Sequence, residues 1–416
     1  MTIFKKQNYK WEVLLLLWGA FLLNQADRQV FNTVLPAMRD ALGLTDTSVG
    51  MIATLFNLFY AFLVPVGGWA GDHLSKKWVT TLSILFWSVA TMFTGLATGF
   101  VWLVVLRSVA TGGGEAFFGP ANYSMIAEYH TDTRARAMSV HQTAYYVGVI
   151  MAGWLAGFIA DRFGWQYSFI IFGAAGVLWA FLMVIRLKDR QDAPEEKPVS
   201  EVQQKPGFFE GFKVVFTTPT ALMLTVGFSG LIFVLTGYLT WMPTYLHENF
   251  GQSLAAAGFN AVFYTHVAAF AGVLAAGSLS DRLGGRNPGA RMVLQAAGLL
   301  AGVPFLLMFG ACNAVWLVYL GLAGFGFCRA FFDANTYTVL YDVTPSRLHA
   351  SCSSVMIMIG FGVGALAPVI LGAIKQSAGL DFAFVCLAAV WLVCGLMMLA
   401  VALKRYRTDY DNVRKG

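Results

Sequence analysis

Twelve apolar stretches, each long enough to cross a bilayer as a helix, decide what this chain can become. They lie at about residues 11–37, 48–70, 79–98, 100–127, 137–160, 166–186, 219–245, 254–278, 290–309, 313–340, 350–374 and 381–403. Most are joined by only a few polar residues. Charged residues make up 12% of the 416, against about 25% in soluble domains, so there is too little polar surface to keep these runs in water. Inside lipid each backbone N–H and C=O must be satisfied within the chain, which for runs of this length means helices. The 43 glycines do not oppose that reading, because helices in lipid approach one another through small residues.

A short polar signature occurs twice. Gly68 to Lys77 reads G-W-A-G-D-H-L-S-K-K, and Gly277 to Arg286 reads G-S-L-S-D-R-L-G-G-R, 209 residues later. In each copy an acid follows the opening glycine by four positions (Asp72, Asp281), and a basic pair (Lys76 and Lys77) or a single base (Arg286) closes the segment eight or nine positions on, with Arg282 beside the second acid. A repeat at half the chain length marks a duplicated membrane unit. The expected fold class is accordingly all-α polytopic, with twelve transmembrane helices in two pseudo-symmetric six-helix bundles. The bundles are expected at 1–186 and 219–416, with 187–218 as a flexible cytoplasmic linker. The linker run D-R-Q-D-A-P-E-E-K-P-V-S-E-V-Q-Q-K-P is polar and aperiodic. Phe208, Phe209 and Phe212 beside Lys213 are expected to lie along the membrane surface.

Lysine and arginine fix the orientation. With both termini in the cytoplasm, 22 of the 28 fall on the cytoplasmic face, three (Arg39, Arg162, Lys375) fall outside, and three lie within spans. The net charge of +6 is therefore a topology signal and not a sign of nucleic-acid binding. The start (Lys5, Lys6, Lys10) runs directly into an apolar segment too long for a cleavable signal peptide, so none is expected. Cys312, Cys328, Cys352, Cys386 and Cys394 show no metal-ligand spacing and are expected to pack as small apolar groups. The sequence has no H-E-x-x-H, nucleophile elbow, P-loop or dinucleotide fingerprint. Neither enzyme chemistry nor a cofactor is expected, and transport would draw on a gradient.

Twelve spans in two halves, with G-x-x-x-D-x-x-x-K-K after span 2 and G-x-L-S-D-R-L-G-x-R after span 8, resemble the major facilitator superfamily over essentially the entire chain. The first signature departs from the family's usual loop at His73, where Arg is typical, and at Ser75, where Gly is typical. Three further motifs are N-Q-A-D-R (Asn24 to Arg28), G-G-G-E-A-F-F-G-P-A-N (Gly112 to Asn122) and W-M-P-T-Y-L (Trp241 to Leu246). They resemble the anion:cation symporter branch, whose members move sugar acids and other organic anions with protons. The spinster branch, transporters of lipid-like anions, is similar in the Asp-Arg of span 1 and the Glu of span 4. The resemblance implies alternating access about a midplane site, with Asp27, Arg28 and Glu115 in proton coupling and substrate recognition. One departure concerns both branches: their usual spacing from the span-4 arginine to the glutamate is one residue shorter than the eight between Arg107 and Glu115. On a regular helix eight residues turn the pair about 80° apart, so either span 4 carries a local bulge or Arg107 does a different job.

An ionisable group at bilayer depth costs roughly 2.5–3.5 kcal/mol on insertion scales and marks function by default. The candidates are Asp27, Arg28, Arg107, Glu115, Arg329 and Asp333, whose formal charges sum to zero. Asp27 and Arg28 are neighbours, about 100° apart around the helix axis, and cannot share a face. Arg28 can grip a carboxylate with two hydrogen bonds and is expected to face substrate, with Asp27 turned to span 4 as a proton site; a plain Asp–Arg tie between helices is the alternative. Glu115 follows three glycines and precedes Pro120 by five residues. It is expected as the second proton site, unless it is a capped carboxyl that packs helices. Arg107 is expected to neutralise Asp27 or Glu115 and set which keeps its proton, or to be purely structural. Arg329 and Asp333, four apart on span 10, either satisfy each other or offer Arg329 as a second anion clamp.

Weaker candidates for a polar cavity are Asn57 and Tyr60 on span 2, Tyr145 and Tyr146 on span 5, Tyr264 and His266 on span 8, and Asn335 and Tyr337 on span 10. A tyrosine ring often packs with one hydroxyl bond and no ligand. His141, near the inner end of span 5, reads as packed rather than titrating. Asp72, Lys76, Lys77, Asp281, Arg282 and Arg286 are assigned to gating on the cytoplasmic side. A shift of 209 from Asp27 and Arg28 lands on Thr236 and Gly237, so proton chemistry is expected in the first half, with substrate shape or a single base supplied by the second. Span 5 lacks the Gly-Pro pairing that resembling antiporters carry, which favours symport. The expected function is proton symport of a small organic anion, a sugar acid or other monocarboxylate, by a monomer in the bacterial cytoplasmic (inner) membrane. No metal or nucleic acid is implied, and the alternative is a spinster-like proton-coupled transporter of lysolipid or other amphiphilic anions.

Overall fold

The computed structural model describes residues 2–130, 134–188, 208–284, 287, 289–311, 314–345 and 348–415, and among them there is helix and no strand. The first half runs α1 (Thr2–Leu42), α2 (Asp46–His73) and α3 (Lys76–Thr94). A fourth crossing is then assembled from α4 (Phe100–Leu103), a π-helical stretch Val104–Thr111, α5 (Gly112–Ala116) and α6 (Phe118–Tyr129), followed by α7 (Arg134–Phe163) and α8 (Trp165–Arg186). The second half holds α9 (Phe208–Thr217), α10 (Pro219–Phe250), α11 (Leu254–Gly284), α12 (Ala290–Ala311), α13 (Val315–Asp333) and α14 (Thr336–Asp342). It ends with α15 (His349–Gly364), α16 (Ala367–Lys404) and α17 (Tyr406–Lys415).

Local chemistry sets several of these ends. Gly43 closes α1 in the left-handed region (φ 60°), where a side chain would be strained, and the Leu44 N–H turns back to the Arg39 carbonyl at 3.0 Å. Thr45 Oγ1 then accepts from the Ser48 N–H at 3.1 Å to start α2, and Ser75 Oγ does the same for Trp78 at 3.3 Å at the head of α3. The first turn of α10 takes its acceptor from the far end of the chain: Asp409 Oδ2 accepts from the Thr220 N–H at 3.0 Å and from Thr220 Oγ1 at 2.7 Å.

Among the described residues, nine helical stretches are long and apolar enough to cross a membrane. Helices α1 and α3 fall outside that set, α1 because Asn24 to Arg28 interrupts its apolar run and α3 because its 19 residues begin with Lys76 and Lys77 and are further diluted by threonine, serine and tryptophan. The last stretch, Cys352–Lys404, is 53 residues long and is divided at Gly379 (φ 83°, ψ 165°). With α1, α3 and that division, the helices accommodate the expected twelve crossings.

The chain forms two compact units, Met1–Ser200 with Met242–Val262, and Glu201–Trp241 with Phe263–Gly416. In the first, α1 lies along α7 and α8, α3 along α8, and α2 against the fourth crossing. A Cβ added to Gly148 would stand 2.5 Å from the Leu22 carbonyl oxygen, so α7 meets α1 backbone to backbone. The segment 242–262 joins this unit through polar ties: Arg39 Nη1 reaches Asp46 Oδ1 at 2.8 Å and Glu248 Oε1 at 2.7 Å. Asp161 also accepts from the Leu254 and Ala255 amides, both at 3.1 Å. In the second unit α12 packs between α13 and α16 around edge-to-face rings: Phe325 lies 5.5 Å from Tyr238, 6.0 Å from Phe309 and 5.2 Å from Trp391.

Residues 189–207 of the expected linker lie outside the described residues. Its end differs from a flexible tether. Phe208–Thr217 is helix α9, packed against α15, with Gly211 and Val215 buried and Lys213 and Phe216 exposed. An apolar stripe of under three turns holds it there, too short to stand out beside the polar run before it.

Candidate functional site

Three elements of the first unit, α1, the π stretch and α5, bring four charges together. Asp27 and Arg28 leave α1 in different directions, as adjacent helical residues must, and find different partners. Arg107 Nη1 donates to Asp27 Oδ2 at 2.5 Å, and its Nη2 to the Asp27 carbonyl at 3.4 Å. From α3, Thr91 Oγ1 donates to Asp27 Oδ1 at 2.7 Å. This pair is sealed, its side chains 3% and 4% exposed. Arg28 Nε donates to Glu115 Oε2 at 2.7 Å, and here the exposure is unequal: the glutamate is wholly buried while 26% of the arginine side chain is open. Glu115 Oε1 is buried with no hydrogen-bond partner among the described residues.

The two pairs make the cluster neutral, which is what a low-dielectric interior demands. Removing one member of a buried pair strands the other charge and costs roughly 3–5 kcal/mol, far more than the pair itself is worth.

The long spacing between Arg107 and Glu115 is absorbed by the π-helix at Val104–Thr111. A π turn closes its hydrogen bonds one residue later than an α turn, so it takes up one extra residue and brings later side chains back into line. Thr111 Oγ1 donates to the Leu106 carbonyl at 2.9 Å, occupying an acceptor in the widened turn, and Ser108 Oγ donates to the Ile52 carbonyl of α2 at 2.7 Å. The bulge alternative is the one found, and Arg107 and Glu115 both reach charges on α1.

Two aromatic residues of α2 floor this cluster. The Arg28 guanidinium carbon lies 4.3 Å from the Tyr60 ring centre and 5.3 Å from that of Phe56. Arg107 lies 4.5 Å from Phe56 and 5.4 Å from Phe31. Of the other expected residues in this unit, Asn57 turns its amide to the Ala53 carbonyl of its own helix at 3.0 Å, and Tyr145 and Tyr146 stand edge to face at 5.3 Å. His141 is buried, stacked on Phe21 at 4.6 Å, with Nε2 2.9 Å from Asn122 Nδ2.

In the second unit Arg329 Nε and Asp333 Oδ2 are 3.3 Å apart on α13. Tyr264 stacks on Tyr319 at 4.5 Å, His266 is buried, and Asn335 Nδ2 donates to the Phe331 carbonyl at 3.0 Å while its Oδ1 accepts from Ser280. Tyr337 is exposed, 6.2 Å from Tyr341. Of the loop residues, Lys76 pairs with Glu128, Lys77 lies 5.2 Å from the Trp78 ring and Arg282 is exposed. The side chains of Asp72 and Asp281, and all of Arg286, lie outside the described residues.

Reading the sequence missed Thr91, Glu128 and, above all, Phe56. An apolar residue in an apolar span carries no signal of its own. Phe56 does stand one helical turn before Tyr60 and on the same face, so the expectation placed on Tyr60 was the available pointer.

A neutralised ionic cluster inside a bundle of helices long and apolar enough to cross a membrane, with one arginine partly open, marks a polytopic membrane protein with a polar interior site. A family model described as Major Facilitator Superfamily matches residues 17–302 and 248–415, and the chain belongs to that family of transporters, not to an enzyme family. It is 26% identical to the hexuronate transporter of Bacillus subtilis over 89% of each chain. It is 25% identical to protein spinster homolog 1 of Xenopus tropicalis over 94% of this chain and 80% of that one. Among solved structures, a bacterial homologue of the human lysosomal transporter spinster, in an inward-facing unoccupied conformation, superposes with a TM-score of 0.80 at 23% identity over 98% of both chains. That likeness is one of fold.

Proposed function

We propose that this protein is a proton-coupled symporter of small organic anions, with a sugar acid such as a hexuronate as substrate, working by alternating access in the bacterial inner membrane. The observation that carries the reading is the pair Arg28–Glu115: a partly open guanidinium held through Nε by a wholly buried carboxylate whose second oxygen has no partner among the described residues. Held through Nε and lying against Tyr60, the guanidinium still has terminal N–H donors with which to grip a carboxylate. An anion arriving there competes with Glu115. Four charges that cancel become five that do not, and a proton on Glu115 restores neutrality; one proton per monovalent anion is the least that does so. Asp27, held by Arg107 and Thr91, is the second group of the coupling relay. Similarity to a hexuronate transporter supports the choice of anion.

A second reading, a carrier of amphiphilic anions such as lysolipids, is favoured by the similarity to spinster homologues. One assay separates the two. Purified protein in liposomes, given an inward proton gradient, is expected to accumulate radiolabelled glucuronate, and Glu115→Gln is expected to lose gradient-driven accumulation at least tenfold while retaining exchange of labelled for unlabelled anion. Accumulation of lysolipid but not glucuronate moves the assignment to the second reading, and an unimpaired Glu115→Gln removes Glu115 from coupling.

A further inference from the structure

Phe56 belongs to neither ion pair and touches both. Its ring centre is 5.3 Å from the guanidinium carbon of Arg28 and 4.5 Å from that of Arg107, each within the ~6 Å reach of a cation–π contact. Only 5% of the residue is exposed, so the ring is buried, and its contact with Arg107 is made away from water. The ring is also braced from behind by the irregular part of span 4. Ser108 Oγ donates to the Ile52 carbonyl at 2.7 Å, and one turn further along both helices a Cβ added at Gly112 would stand 2.9 Å from the Phe56 carbonyl oxygen and 3.1 Å from its ring. The wall that carries the extra residue is thus the wall on which Phe56 is seated.

We propose that Phe56 is a positioning residue shared by the two ion pairs, linking a displacement of Arg28 to the Arg107–Asp27 pair. The inference rests on the reading of Arg28 and Glu115 as the substrate and proton groups. In the resting cluster one ring stabilises both guanidinium groups where Glu115 and Asp27 need them. When an anion draws Arg28 away from Glu115, the ring loses one of its two cations, and its hold on Arg107 changes with it. A side chain of similar bulk without a π face would fill the space and leave each arginine to its carboxylate alone.

Two measurements on the full-length purified protein test this. The first needs no substrate: melting temperatures of Phe56→Leu, Arg28→Gln and Arg107→Gln, which remove the ring or the cation, and of the two double variants that contain Phe56→Leu, with Phe56→Met as a second ringless variant in case leucine fails to fold. Each double variant is expected to fall by less than the sum of its single variants, because the shared contact can be lost only once. Additive shifts in either cycle overturn the proposal, whatever the protein transports. The second is glucuronate uptake against pH. Phe56→Leu is expected to raise KM about tenfold and to displace the pH profile, with Phe56→Tyr close to the parent. A leucine variant with the parent's KM and pH profile also overturns it. Failure of the parent to take up glucuronate counts against the substrate assignment alone, and the melting cycles still decide on Phe56.

Discussion

His130 follows the last turn of α6, just beyond the apolar part of the fourth crossing. Its Nε2 donates to the Lys10 carbonyl at 2.9 Å and its ring meets Trp11 edge-on at 4.9 Å. Burial pushes its pKa below the ordinary 6.5, the hydrogen bond to Lys10 opposes that, and the charge of Lys10 adds to it. The unfolded chain therefore takes up a proton before the folded one does. Stability from this residue is complete well above pH 6.5 and is lost as pH falls from the unfolded value through the lower folded one. The melting temperature in detergent is expected to drop more steeply between pH 7 and pH 5 in the parent than in His130→Gln; parallel curves would remove His130 as a cause. The same scale shows what was legible. Charges in lipid are expensive, so Asp27, Arg28, Arg107 and Glu115 stand out in the sequence. Their pairing does not, because it depends on which helices touch: the sequence leaves Asp27 open to a tie or a proton role and Arg107 open to either carboxylate, and packing joins Arg107 to Asp27 and Glu115 to Arg28.

At the scale of the element, the fourth crossing is the most constrained. Its π stretch runs directly into Gly112, Gly113 and Gly114, and the three glycines are not equivalent. A methyl at Gly112 meets the Phe56 backbone oxygen at 2.9 Å, and one at Gly114 meets the Phe86 ring at 2.8 Å and the Trp87 backbone nitrogen at 3.3 Å. At Gly113 the nearest atom is the Cδ1 of Leu63 at 3.2 Å, the end of a flexible side chain. Alanine favours helix over glycine by about 1 kcal/mol, which offsets a mild contact and not a backbone clash. Gly113→Ala is expected within about 1 kcal/mol of the parent, and Gly112→Ala to lose roughly 1–3 kcal/mol, read as the difference in their melting temperatures. Equal losses would mean that α2 yields at Phe56. The sequence announced a fault here through the eight-residue spacing but could not say what absorbed it, since a bulge and a rotated arginine leave the same letters.

At the scale of the molecule, the ion pairs outside the bilayer join ends that share a membrane face. Glu12 at the start of the apolar run of α1 meets Arg186 at the end of α8 at 2.6 Å, Lys76 at the start of α3 meets Glu128 near the end of α6, and Arg291 near the start of α12 meets Asp342 at the end of α14 at 3.0 Å. Each joins the beginning of an odd-numbered crossing to the end of an even-numbered one, the parity that twelve crossings require. The opposite face is marked by Arg39 at the end of α1 with Asp46 at the start of α2, 2.8 Å apart. Parity says which ends belong together and leaves open which face is the cytoplasm. Charge number favours one choice: with both termini in the cytoplasm, 22 of the 28 Lys and Arg are expected on that face. In a bacterial host, green fluorescent protein fused after Gly416 is therefore expected to fluoresce and alkaline phosphatase at the same point to be inactive. Phosphatase fused after Gly43 is expected to be active. The reverse pattern would place the termini outside and turn the proposed direction of proton-driven uptake around with them.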